Sequence, residues 1–182
     1  MADPASAYLA PWASYYVMVG SGSAALVGLM FVVITLITDI EEVRKRPDGI
    51  STFSTPTVSH FSVTLFISAV MVAPWRLLMH PAIALLITGL YGTVYGVLII
   101  VRMRGPATNY EPDLDDLVWY GILPLIAYLV ILASSVLLTS SPLTALFGVA
   151  AAAIGLMFLG IRNSWDVVTF LALRFTRTST RE

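Results

Sequence analysis

Five long apolar stretches dominate this chain, and its charged residues fall almost entirely in the segments between them. Each stretch reaches about 20 residues, the length that an α-helix needs to cross the hydrocarbon layer of a membrane. Because backbone polar groups in lipid must be bonded internally, such stretches fold as helices. The sequence therefore predicts an all-α membrane protein, a bundle of five transmembrane helices at about 15–38, 57–79, 81–101, 114–139 and 142–161.

Composition agrees with this class and excludes several kinds of function. The chain is 58% hydrophobic and 12% charged, whereas soluble domains carry about 25% charged residues. We therefore expect residues 1–182 to form a single integral membrane domain. The absence of cysteine excludes disulfides and thiolate chemistry. No phosphate-binding loop, catalytic serine motif or zinc motif is found, so we expect no enzyme activity, no cofactor, no metal site and no nucleic-acid partner.

Basic residues indicate the orientation in the membrane, because cytoplasmic loops retain Lys and Arg. Nine of the ten follow the first, third or fifth stretch, and only Arg76 falls on the other side. The chain is therefore predicted to have its N-terminus outside and its C-terminus in the cytoplasm of a bacterial-type inner membrane. The nine are Arg44, Lys45, Arg46, Arg102, Arg104, Arg162, Arg174, Arg177 and Arg181.

A polar stripe on the second stretch is the strongest functional lead. Its members recur at spacings of three and four residues, which places them on one face of a helix. They are Thr57, His60, Thr64 and Ser68. One interpretation is a polar path for an ion or solute, with His60 as a titrating gate. The alternative is packing between helices, in which Ser and Thr bond to helix carbonyls and a neutral His donates to a neighbour.

Small residues form three faces on which helix backbones can approach closely. These faces either close the bundle of one chain or join copies in a homo-oligomer, and the sequence leaves both open. Their residues are Gly20, Ala24 and Gly28 in the first stretch, Gly89, Gly92 and Gly96 in the third, and Gly148 and Ala152 in the fifth.

The predicted cytoplasmic side carries a further polar group: Asp39, Arg102, Asn163 and Asp166. These residues either form a polar vestibule or pair among themselves. After Arg162, the apolar part of the C-terminal segment 162–182, NSWDVVTFLALRF, is too short to cross the membrane again. It either projects as a helix or bends near Asn163 and lies in the interface, and we favour the bend because its apolar residues otherwise face water.

Two segments resemble a broad group of small bacterial multi-span integral membrane proteins that have no assigned activity. They are GSGSAALVGLMFVV at Gly20–Val33 and RNSWDVVTFL at Arg162–Leu171. The resemblance implies a bacterial inner-membrane location and brings no functional residues with it.

Two functions are compatible with these features. The first is a homo-oligomeric channel-like or transport-like protein, in which the stripe on the second helix forms the path. The second is a non-catalytic subunit or regulator of a larger membrane complex, with other membrane subunits as partners. The lipid bilayer is a partner in both, and a lipid held between helices is compatible with either.

Overall fold

The computed structural model describes residues 4–38, 47–103 and 114–179, and nearly all of these residues are helical. The chain begins with α1 (Pro4–Leu9) and a 3₁₀ turn (Ala10–Trp12), which lead directly into α2. The long helices are α2 (Ala13–Thr38), α3 (Pro47–Val72), α4 (Met79–Met103) and α7 (Pro142–Ser179). A composite helix precedes α7 and consists of α5 (Leu114–Asp116), a π-helical segment (Leu117–Ile122) and α6 (Leu123–Leu137).

Four stretches of the described chain are long and apolar enough to cross a membrane. They are Ala5–Thr35, Met79–Met103, Leu114–Leu137 and Pro142–Asp166. The all-α prediction is therefore confirmed, with four apolar helices of spanning length. In α3, the apolar part Thr57–Val72 is shorter than a full span, so the second of the five predicted spans stays a prediction.

The order of the helices across the bundle differs from their order in the chain. α3 packs against α2 on one side and α7 on the other, α7 also packs against α6, and α6 packs against α4. In the sequence, very short links separate the second and third apolar stretches (MHP, 79–81) and the fourth and fifth (SSP, 140–142), and such links predict two antiparallel hairpins whose helices pack side by side. α6 and α7 do so, but α4 contacts α3 at only a few residues and packs along α6 instead. The hairpin prediction was wrong for α3 and α4.

Two predicted helix ends also require correction. α3 begins at Pro47 rather than near Thr57, so Pro56 lies inside the helix. The Pro-Asp-Gly sequence at 47–49, which is typical of a turn, forms the first residues of the helix. α7 continues without interruption from Pro142 to Ser179, so the bend expected near Asn163 is not found. At 1.5 Å per residue its 38 residues extend about 57 Å.

A proline explains the π-helical segment in the composite helix. Pro124 has no N–H to donate, and its ring excludes the carbonyl of the residue four positions earlier, Tyr120. The preceding amide, on Leu123, bonds to the carbonyl of Val118 five positions back. The wider turn of this segment therefore adapts the helix to Pro124, and such turns are frequent at functional sites.

The core lies where α3, α6 and α7 meet. Its largest fully buried side chains include Tyr128 and Ile131 from α6, Phe61 and Ile67 from α3, and Leu156 from α7. Polar side chains are buried in the same region, and they form the candidate site.

Candidate functional site

The polar stripe faces the interior of the bundle. Thr57, His60, Thr64 and Ser68 are each at most 3% exposed. The hydroxyl of Thr64 reaches the carbonyl of Ala153 on α7 at 3.3 Å. Ser68 lies so close to α2 that a Cβ on Gly20 would stand 2.8 Å from its own Cβ. The stripe thus lies between α2 and α7, with His60 also touching α6.

Two members of the stripe are bonded within their own helix. Thr64 donates to the carbonyl of His60 at 2.9 Å, and Ser68 donates to the carbonyl of Thr64 at the same distance. These are the bonds that the packing interpretation expects of hydroxyl side chains inside a helix bundle. They satisfy both hydroxyls without water.

The side chains of His60, on α3, and Tyr128, on α6, are in direct contact. Nδ1 of His60 and the hydroxyl of Tyr128 are hydrogen bonded at 3.0 Å, and both side chains are almost completely buried. Nε2 of His60 is also buried and has no partner among the described residues. An unpaired polar atom in an apolar interior is costly, so this nitrogen marks a position that favours a hydrogen-bonding group.

Gly92 allows Tyr128 to take this position. A Cβ on Gly92 would overlap the ring of Tyr128. Glycine therefore gives the ring its place against α4, while the hydroxyl at the opposite end of the side chain meets His60.

Further buried polar groups extend the stripe along the bundle. On α2, Tyr16 and Ser23 share with Gly20 a face that meets α3, and neither hydroxyl has a partner among the described residues. On α7, Asn163 is fully buried and both polar atoms of its amide lack a partner in the described chain. We call this set the polar ladder: Tyr16, Ser23, Thr57, His60, Thr64, Ser68, Tyr128 and Asn163.

The cytoplasmic vestibule stays a prediction, and its described residues lie in different surroundings. Asn163 is buried, whereas Arg102 is exposed near the end of α4 and has no ion pair with Asp166. Asp166 instead pairs with Arg162, whose guanidinium lies 5.3 Å from the centre of the Trp119 ring. Asp39 lies outside the described residues, as do most of the basic residues that predicted the orientation.

Asn163 connects to the π-helical segment through its backbone. Its carbonyl accepts a hydrogen bond of 3.4 Å from the hydroxyl of Tyr120. The π-helical segment before Pro124 thus places the buried Tyr120 beside Asn163, the member of the ladder on α7.

The small-residue faces make contacts inside a single chain. A Cβ on Gly89 would stand 2.8 Å from the backbone nitrogen of Leu132, and one on Gly96 would stand 3.3 Å from Leu125. With Gly92 these residues seat α4 against α6, so this face is occupied within one chain and is not open to a second copy.

Of the other small residues, some contact a neighbouring helix and some are exposed on the surface. Gly148 lies against Ser134 on α6, and Ala152 is buried. Ala24 and Gly28 are exposed, and a Cβ on Gly28 would meet nothing within 4 Å. Only Gly20 of the α2 face makes a close contact.

Three members of the ladder were not predicted from the sequence. Tyr128 is 68 positions from His60, and a tyrosine within an apolar stretch carries no signal of its partner. Tyr16 and Ser23 share a face with Gly20 at spacings of four and three, so helical periodicity places them together, but nothing identifies that face as the one that meets the stripe.

A comparison with protein-family models, with curated proteins and with solved structures finds no match to this chain.

Proposed function

We propose that this chain is a multi-pass protein of a bacterial inner membrane, with its N-terminus outside, that moves protons along the polar ladder inside its own helix bundle. The observation that carries the proposal is the buried hydrogen bond between His60 and Tyr128. A neutral imidazole and a phenol hydroxyl each both donate and accept hydrogen bonds, so the pair is able to pass a proton in either direction. This is a transport-like function without a catalytic step.

Protons fit the ladder better than larger solutes do. The stripe is packed against side chains and backbone of neighbouring helices, as the contacts of Ser68 with Gly20 and of Thr64 with Ala153 illustrate. A hydrated ion requires an open cavity, whereas a proton moves between hydrogen-bonded groups and single waters. The unpartnered Nε2 of His60 and the amide of Asn163 provide positions for such links.

The length of the ladder supports the same function. From Thr57 to Ser68 the helical rise corresponds to about 16 Å, and Tyr16 and Asn163 add polar groups from α2 and α7. This is about half of a hydrocarbon layer that is roughly 30 Å thick. Ionisable side chains within membrane-spanning helices are costly and typically mark proton or ion pathways, and His60 is the ionisable member of the stripe. The path lies within one chain, so the proposal does not depend on a homo-oligomer.

Proton flux into liposomes tests the proposal. Purified protein is reconstituted with a trapped pH-sensitive dye, and a potassium gradient with valinomycin sets the membrane potential. We expect acidification faster than in empty liposomes, and a return to the empty-liposome rate in Tyr128→Phe and His60→Ala. His80→Ala is the matched control, because His80 is exposed at the start of α4 and lies outside the ladder.

Two results contradict the proposal. The first is native protein that moves protons no faster than empty liposomes. The second is unchanged flux in Tyr128→Phe, a substitution that removes only the hydroxyl.

A second candidate is a non-catalytic subunit of a larger membrane complex, and the observation that favours it is the length of α7. At about 57 Å, α7 exceeds the hydrocarbon thickness by roughly 27 Å, and the excess provides a projecting helix for a partner. Gentle affinity purification from native membranes tests this role. A stoichiometric partner that is lost when residues 168–182 are deleted supports the role, and repeated recovery of the chain alone contradicts it.

A further inference from the structure

A groove lies between α6 and α7 on the outside of the bundle. Its volume is about 540 Å³ and its lining is almost wholly apolar. Small residues, Ala127, Ala151 and Gly155, contribute to its lining together with the larger Ile126 and Phe158. A Cβ on Gly155 would meet no atom within 4 Å, so the space at this residue is open rather than filled by a neighbouring helix.

The groove has the length of an acyl chain in one leaflet. Its lining on α7 runs from Ala151 to Arg162, which corresponds to a helical rise of about 16 Å. One leaflet accounts for about 15 Å of a hydrocarbon layer of roughly 30 Å. The groove thus matches the distance from the headgroup level to the centre of the membrane.

One end of the groove carries the features of a headgroup site. Trp119 and Arg162 line this end, and the guanidinium stands over the indole ring. Tryptophan is enriched at the level of the headgroups, where one side of the ring is apolar and the other wet. The apolar lining therefore ends where a lipid changes from hydrocarbon to polar headgroup.

The charges at this end are paired rather than of one sign. Arg162 and Asp166 lie one turn apart on α7 and form an ion pair whose side chains are 43% and 38% exposed. An exposed pair of this kind contributes little to stability. Guanidinium and carboxylate also keep further donors and acceptors free for other groups. A phosphate is able to bind Arg162 while an ammonium binds Asp166, whereas a headgroup with only negative charge faces repulsion from Asp166.

We propose that the groove between α6 and α7 holds one chain of a phospholipid whose headgroup carries both a phosphate and a primary amine. The acyl chain lies over Gly155, the phosphate binds Arg162, and the amine binds Asp166. This site is separate from the polar ladder, and the inference does not rest on proton movement.

Native mass spectrometry of the purified chain tests the site. Delipidated protein is mixed with equal amounts of phosphatidylethanolamine and phosphatidylglycerol, and the bound lipids are counted. We expect one retained phosphatidylethanolamine per chain in preference to phosphatidylglycerol. Gly155→Leu fills the groove and should abolish retention. Gly28→Leu is the matched control, because its Cβ also meets open space, on α2 rather than in the groove.

The headgroup assignment has its own variant. Asp166→Asn removes the negative charge and should lower the preference for phosphatidylethanolamine roughly fivefold, the upper end of what an exposed ion pair contributes. Retention that survives Gly155→Leu overturns the groove as the site. Equal retention of both lipids by the native chain overturns the headgroup assignment. A dimer that dissociates in Gly155→Leu without bound lipid identifies a second copy as the occupant and overturns the proposal.

Discussion

Tyr128 has two contacts that lie at opposite ends of its side chain. Its ring packs where α4 has only a glycine, and its hydroxyl meets the imidazole of His60. The periodicity of three and four residues was sufficient to place Thr57, His60, Thr64 and Ser68 on one face, because helix geometry alone determines which residues share a face. It was not sufficient to find Tyr128, since the partner of a face depends on how the helices are arranged.

Gly92→Leu should destabilise the chain strongly. Its Cβ would overlap the ring of Tyr128, so either the ring or α4 must move. Overpacking of this kind typically costs 1–3 kcal/mol, and we expect a cost of about 3 kcal/mol in the free energy of unfolding. Denaturation in mixed micelles measures it. Gly28→Leu is the control, because it enters open space and should change stability little. Equal stability of the two variants contradicts the described contact of α4 with α6.

At the scale of the helices, the sequence predicted which segments are helical better than which helices are neighbours. A short link brings only the adjoining ends of two helices together. The connection between α3 and α4 spans residues 73–78. It is long enough for α4 to diverge from α3 and to pack Gly89, Gly92 and Gly96 against α6. The bend predicted near Asn163 was wrong for a local reason. Asn163 is polar but buried in the bundle, so its polarity does not mark the point where α7 bends or leaves.

A disulfide between α4 and α6 tests this arrangement. A Cβ on Gly96 would lie 3.5 Å from the Cβ of Leu125, within the range of about 3.5–4.5 Å that a disulfide requires. The double variant Gly96→Cys, Leu125→Cys should therefore cross-link under mild oxidation, and the chain has no other cysteine to interfere. The pair Gly89→Cys, Ser62→Cys lies at equal distances from the link between α3 and α4, where a hairpin would bring the two residues level, and it should not cross-link. Cross-linking of only the second pair would restore the hairpin arrangement.

At the scale of the whole molecule, the chain is built as two central helices, α3 and α7, flanked by α2 on one side and by α6 with α4 on the other. This arrangement buries the stripe of α3 from both sides. The all-α class followed from the length of the apolar stretches alone. The orientation rests on Lys and Arg sidedness, which is a property of the sequence and of the insertion machinery rather than of packing.

Cysteine labelling tests the orientation. Ser140 is exposed in the turn between α6 and α7, and Asp115 is exposed at the start of the composite helix. In intact cells, Ser140→Cys should react with a membrane-impermeant maleimide, and Asp115→Cys should react only after permeabilisation. The reverse pattern would invert the orientation, and reaction of both from outside would mean that Leu114–Leu137 does not cross the membrane.

The central claim is that the interior of a single chain is organised around the hydrogen bond between His60 and Tyr128. The chemical environment of the His60 ring tests this claim most directly. The chain has two histidines, so a His80→Ala protein labelled with ¹⁵N-histidine reports on His60 alone in solid-state NMR of lipid bilayers. We predict that the Nδ1 signal moves in Tyr128→Phe and stays in place in Tyr91→Phe, since Tyr91 is an exposed tyrosine outside the ladder. A signal that is unchanged by Tyr128→Phe would contradict the account.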